Sequence, residues 1–265
     1  MTDGRQVGRS FDRSAPDYDE ILARNRMGAE RLVAAMPPGE YPRVLDVGCG
    51  TGFATEAMVA RFGSRRVTGV DPSEGMLAVF RDKVRGLGAE VELIQAGVHE
   101  MAVPDGAYDA VVSGMAFHWF PDKPAAVAAM ARRLRPGGVL AVLASGRGTD
   151  EEFRRVLEAV EPPVPEAWVE VFDRIHRGGA ELEGYLEEAG LEPLDVWEEH
   201  RVRHATPEAF LARISAVASH LSEGLDPAEA EAHGARVAAG VAAAAGPRGF
   251  RYSFVKLYGI ARRPH

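Results

Sequence analysis

The chain has 265 residues, 46% hydrophobic and 26% charged, enough to bury one substantial core as a single large domain or as a domain with a cap. Its formal charge of −8 comes without a basic block, which disfavours nucleic acid and anionic membrane as partners. A single cysteine, Cys49, excludes an internal disulfide, and with no leader-like or spanning apolar segment the expected setting is cytoplasmic.

Residues 1–10 are polar. A helical pattern follows from Pro16, which suits a first helical position, and carries Ile21, Leu22, Leu32, Val33 and Met36 before Pro37-Pro38-Gly39 ends it. The apolar run Val44 to Val47 then leads into Gly48, Gly50 and Gly52, and a helix-like run over 54–61 comes next. That order predicts a buried parallel strand, a tight turn and a helix N-terminus. Strand two is expected over 66–70, ending in Asp71-Pro72-Ser73. Ser73 can cap a helix over 74–87 whose apolar face includes Met76, Leu77, Phe80 and Val84.

Strands three, four and five are expected over 91–95, 110–113 and 139–144, with a helix over 124–134 and a Leu134-Arg135-Pro136-Gly137-Gly138 turn before the fifth. Thr149-x-x-Glu152 reads as a capping box opening a short helix with Phe153, Val156, Leu157 and Val160 inward. A proline break follows, then a helix with Trp168, Phe172 and Ile175, and another over 181–189 stopped by Gly190. Strand six is expected over 192–202. Thr206-Pro207 starts a helix striped by Phe210, Ile214, Val217 and Leu221, Asp226-Pro227 opens another, the alanine-rich run 238–245 is helical, and 250–261 is the last strand. The fold class is therefore α/β: a Rossmann-like, mostly parallel, doubly wound seven-stranded sheet.

In such sheets ligands bind at the carboxyl ends of the strands, where the glycine turn sits. A dinucleotide fingerprint needs a third glycine at position 53, which is Phe53, and a P-loop needs a lysine that is absent. Asp46, just before the first glycine, would repel a pyrophosphate and suits a cationic or zwitterionic ligand. Asp46-x-Gly48-x-Gly50-x-Gly52 resembles motif I of the class I S-adenosylmethionine (SAM)-dependent methyltransferases. Ser113-x-x-Ala116-x-His118-Trp119-Phe120 resembles the trans-aconitate methyltransferase branch of small-molecule enzymes, and Leu134-Arg135-Pro136-Gly137-Gly138 is a structural hallmark of the same family.

The resemblance implies a site. Cofactor contacts fall on Asp46, Gly48, Gly50 and Gly52, on Asp71 for the ribose hydroxyls, on Pro72 and Met76, and on Ser113 and Gly114 for the methionine amino group. The aspartate expected after strand three, which meets the adenine amino group in relatives, is Gly97 here. That leaves the Val98 amide, with His99 or Glu100, to meet the adenine edge. Phe11 and Tyr18 belong to an F-x-x-x-A-x-x-Y-D segment that folds over the cofactor in relatives, and Phe117 and Trp119 border the methyl-transfer site. The same segment also suits an amphipathic helix closing the sheet edge, and Asp71 also suits a helix cap.

His118 is the candidate general base, since its unperturbed pKa lies near neutrality; a structural histidine beside Trp119 is the alternative. His200 and His204 have a metal-pair spacing but lack a third ligand, so no metal is expected. Residues 1–40 are expected to cover the site, 41–148 to form the SAM-binding core, and 149–265 to complete the sheet with helical cap insertions at about 149–177 and 205–246. The expected activity is methyl transfer from SAM to a small-molecule acceptor, oxygen favoured, with S-adenosylhomocysteine as product. A catalytically silent SAM-binding protein and a C- or N-methyltransferase are the alternatives.

Overall fold

Val44, Leu45 and Val47 are buried in β1 (Arg43–Val47), an interior strand of a seven-stranded sheet. The computed structural model describes residues 23–218, 222 and 224–265, with 8, 11, 12, 15 and 19. The other strands are β2 (Arg66–Asp71), β3 (Glu90–Gln95), β4 (Tyr108–Gly114), β5 (Leu134–Ser145), β6 (Glu192–Ala205) and β7 (Phe250–Arg262). Their spatial order is β3-β2-β1-β4-β5-β7-β6. The first five pair in parallel, and β7 runs antiparallel to both β5 and β6. The winding reverses between β1 and β4, which opens a crevice at the carboxyl ends of those two strands.

Alternation along β1 divides the core, because successive strand residues face opposite sides. Val44 packs with α1 (Ala23–Ala35) and α2 (Phe53–Phe62) on one face. Leu45 and Val47 pack on the other with α4 (Lys123–Arg133) and α7 (Gly179–Glu188). Leu77 and Phe80 of α3 (Glu74–Val84) close over Cys49. A separate apolar cluster joins α5 (Glu151–Ala159), α6 (Glu166–Ile175), α8 (Pro207–Ala218) and α9 (Pro227–Ala243) to Phe250 and Tyr252 of β7.

Ser73 and Asp226 cap α3 and α9 as the sequence predicts, and Thr206 Oγ1 accepts the Ala209 amide at the start of α8. Two local readings are corrected. Thr149 and Glu152 form no capping box: Thr149 exchanges two hydrogen bonds with the Val255 backbone, and Glu152 accepts from the Ser253 amide and hydroxyl. The local pattern loses to bonds with β7, and Asp150, with φ +56°, stands at the helix start. Residues 135–138 are not a turn before β5 but a bulge within it, since β4 pairing passes from Tyr108↔Leu134 to Ala110↔Val139.

Candidate active site

The three motif glycines all have positive φ, but they make room for different things. A Cβ on Gly48 would strike Ala116, and one on Gly52 would strike the Phe80 ring. A Cβ on Gly50 would meet nothing within 4 Å. Gly50 alone therefore presents bare backbone to open space, in a cavity of about 890 Å³ at the crevice. Asp46, Gly48, Asp71, Pro72, Met76, Gly97, Val98 and Gly114 also line this cavity. Gly52 and Ser113 do not; the first makes room for Phe80 and the second is buried in β4.

Asp46 is fully buried. Its Oδ2 accepts from the Thr55 amide (3.1 Å) and hydroxyl (2.7 Å), while Oδ1 has no partner. Burial pushes this carboxyl up to about 7 against the pull of the two Thr55 bonds. Asp71 is held by the amides of Ser73 and Gly50, each at 2.9 Å, so it braces the glycine turn rather than capping the helix. Burial raises it to about 6. Glu100 fills the space that a side chain on Gly97 would occupy, and its residue lines the same cavity.

Phe11 and Asp12 of the N-terminal segment also line the larger cavity. Asp12 accepts from Ser73 Oγ (2.6 Å) and the Gly75 amide (2.9 Å), Asp19 pairs with Lys83 and accepts from Thr51 Oγ1 (2.6 Å), and Phe11 meets Trp119 edge-on at 6.0 Å. Tyr18 lies outside the described residues. Phe117 departs from its expected place: the single turn over Phe117–Trp119 sends it into the sheet core, edge-on to Phe120, and leaves His118 and Trp119 to face a cavity.

That cavity is a second one, of about 380 Å³. The two share Phe11, Asn25, Met115 and Trp119, so they meet at a neck. The charged side chains on the second cavity are Arg24, Arg203, Arg213, Lys256 and Asp150, together with His118 and His176. Asp150 is already bonded to Arg213 at 2.5 Å. His118 Nδ1 accepts the Ser145 amide at 3.3 Å, and burial, with the charges of His176 and Lys123, holds the ring well below its ordinary pKa. Burial lowers His176 to about 4. His200 and His204 sit on β6 instead, about 13 Å apart at strand spacing, and no cluster that could hold a metal occurs among the described residues.

Residues 44–138 match the methyltransferase domain family model. The chain is 32% identical over 222 residues to the malonyl-[acyl-carrier protein] O-methyltransferase of Geobacter sulfurreducens, a match covering 82% of each chain. The chain belongs to the class I SAM-dependent methyltransferases. The corresponding enzyme of Halorhodospira halophila is 35% identical over 66% of this chain and 57% of its own length. The trans-aconitate 2-methyltransferase of Variovorax paradoxus is 33% identical over 64% and 62%. Among solved structures, phosphoethanolamine N-methyltransferase 2 of Haemonchus contortus, in complex with S-adenosylhomocysteine, matches all of this chain and 61% of its own with a TM-score of 0.59 at 18% identity, a likeness of fold.

This methyltransferase uses SAM, and the larger cavity fits that group. The open cradle at Gly50 lets backbone approach a ligand, and the orphaned Asp46 Oδ1 is a buried acceptor matched to a cation. Sequence reasoning missed Asp12, Asn25, Arg24, Arg203 and Lys256. Asn25 is a buried polar residue of α1, which the sequence does not show; the strand cations left no signal, because they face the cavity only once β6 and β7 have paired.

Proposed function

We propose that this methyltransferase methylates a carboxylate oxygen of a small acid, in the cytoplasm. The observation that carries the reading is the charge of the second cavity, where cations outnumber the single, already paired carboxylate. The relatives' names point the same way, since malonyl groups and trans-aconitate are carboxylic acids. SAM supplies an electrophilic methyl: the acceptor oxygen forms the new C–O bond, the C–S bond breaks, and sulfur keeps the electron pair as a neutral thioether. Asp46, with the carbonyl of Gly114, receives the methionine ammonium, while Ser113 stays buried in β4 away from it. Asp71 takes the ribose hydroxyls, Pro72 and Met76 form walls, and Phe11 with Trp119 shields the neck, so that water is excluded and the reacting atoms are aligned.

The Val98 amide and the Glu100 carboxylate serve the adenine edge in place of the missing aspartate. Glu100→Ala is expected to weaken S-adenosylhomocysteine binding about tenfold by calorimetry. S-inosylhomocysteine, which lacks the amino group, should bind wild type and variant alike; equal loss for both ligands would remove Glu100 from this role.

An ionised carboxylate needs no proton removed, and His118 is arranged accordingly. With Nδ1 accepting the Ser145 amide, the neutral ring carries its proton on Nε2 and offers a donor rather than a lone pair. We therefore read His118 as a positioning donor instead of a general base. At saturating SAM and acceptor, kcat should show no rise through a histidine-like pKa between pH 6 and 8, since an ordinary carboxylate titrates near 4; the titrations of Asp46, Asp71 and Lys256 belong to ligand binding and are read in kcat/KM. His118→Asn, which keeps an acceptor for Ser145, should retain activity within about tenfold, where loss of a base costs about 10²–10⁴. The founding assay supplies labelled SAM with panels of acids, phenols and amines. Base-labile methyl esters support the reading, and label confined to nitrogen or carbon would sink it.

A further inference from the structure

Resting on that reading, we infer that the acceptor is an amphipathic monocarboxylic acid, its head held by Lys256 beside the neck and by Arg203 on the same face of the β6–β7 ribbon, and its apolar body laid against the helices α5, α6, α8 and α9. The second cavity has two chemically distinct ends. At the neck end, Lys256 Nζ donates to the Arg24 carbonyl at 3.1 Å, one residue from the neck residue Asn25, and lies against Gly28 of α1. Arg24 Nη1 donates to the Tyr252 hydroxyl at 3.0 Å. Arg203 makes no ion pair among the described residues, and its Nε is buried without a partner. The nearby acid, Glu199, is engaged by Arg31 and Arg201 and does not line the cavity. Burial and the neighbouring Arg203, Arg201 and Arg24 charges lower Lys256 to about 8 even with Glu199 opposing them. A carboxylate arriving here relieves a crowd of cations.

The far end is built from Phe153, Leu157, Trp168, Phe172, Ile214 and Val237, contributed by the four inserted helices. The ion pair lining that side among the described residues, Asp150–Arg213, is internally satisfied. A second carboxylate on the acceptor's body would be stripped of water against aromatic and aliphatic carbon with no cation to meet it. The volume suits a small aryl or medium-chain acid and falls in the range of small-molecule pockets.

The test uses the full chain saturated with S-adenosylhomocysteine and titrated with octanoate, 3-phenylpropionate, octanamide and trans-aconitate, read by calorimetry and tryptophan fluorescence. The monoacids should bind at least tenfold more tightly than trans-aconitate and than the amide. Lys256→Met and Arg203→Met should each erase the acid-over-amide preference while S-adenosylhomocysteine affinity, a control for folding, is kept. Trans-aconitate binding as tightly as the monoacids, or amide matching acid, overturns the inference. The expected binding pattern without ester formation from SAM keeps the inference and removes the carboxylate-methylation reading; esters formed on polycarboxylates alone do the reverse.

Discussion

Asp46→Asn is expected to raise the melting temperature of the ligand-free protein at pH 8 by at least about 5 °C while weakening S-adenosylhomocysteine binding about thirtyfold, or ~2 kcal/mol. Both effects come from one oxygen. Oδ1 is buried without a partner, and folding lifts this carboxyl from 3.8 to about 7. A raised folded-state value means that the folded protein favours the protonated form. Stability is therefore fullest below the unfolded value and is lost as pH rises through about 7. The asparagine variant escapes that loss, so its thermal advantage should shrink as pH falls from 8 towards 4. It also lacks the charge proposed to receive the ligand's ammonium. Paired thermal scans and titrations check this, and a variant that loses stability at pH 8 would show that the Thr55 bonds outweigh the buried charge.

Arg213→Met is expected to cost about 3–5 kcal/mol of folding stability at pH 7, because it strands a buried carboxylate. Asp150 is buried, is raised by desolvation, and has Arg213 as its ion-pair partner. The guanidinium also lies over the Phe210 and Tyr252 rings, 4.9 Å from each centroid, so it fastens α8 to the start of α5 and to β7. Urea unfolding gives the loss directly. The double variant Asp150→Asn, Arg213→Met should recover at least half of it, as removing both partners leaves no unpaired charge. Protonation offers the same relief, so the single variant should regain stability as pH falls. A cost below about 1 kcal/mol would mean that water reaches Asp150.

The lining of the larger cavity was legible because its chemistry is local. Asp46, Gly48, Gly50 and Asp71 sit at or beside strand ends whose position follows from periodicity, and the reversal of strand order between β1 and β4 opens the crevice there. Gly97 was visible as a gap, and Glu100 as one of the residues able to fill it. Of the second cavity, His118 and the aromatics Trp119, Trp168 and Phe172 were legible in the sequence; its cations were not, because Arg24, Arg203 and Lys256 come from α1, β6 and β7, the last two brought together only by antiparallel pairing. Local patterns misled in three places. Thr149 and Glu152 bond to β7 rather than to each other, residues 135–138 form a bulge within β5, and the single turn over Phe117–Trp119 sends Phe117 into the core.

The placement of β7 has a consequence for how the chain is made. β5 is buried from Val139 to Ser145 and pairs with β4 on one side and β7 on the other. β6 is synthesised first, yet it joins the sheet through β7. Until residues 250–262 leave the ribosome, the nascent sheet carries an apolar open edge at β5, the kind of edge on which other chains template. Growth from β1 to β5 can proceed in step with translation, whereas closure of that edge and assembly of the second cavity arrive together, as one late event.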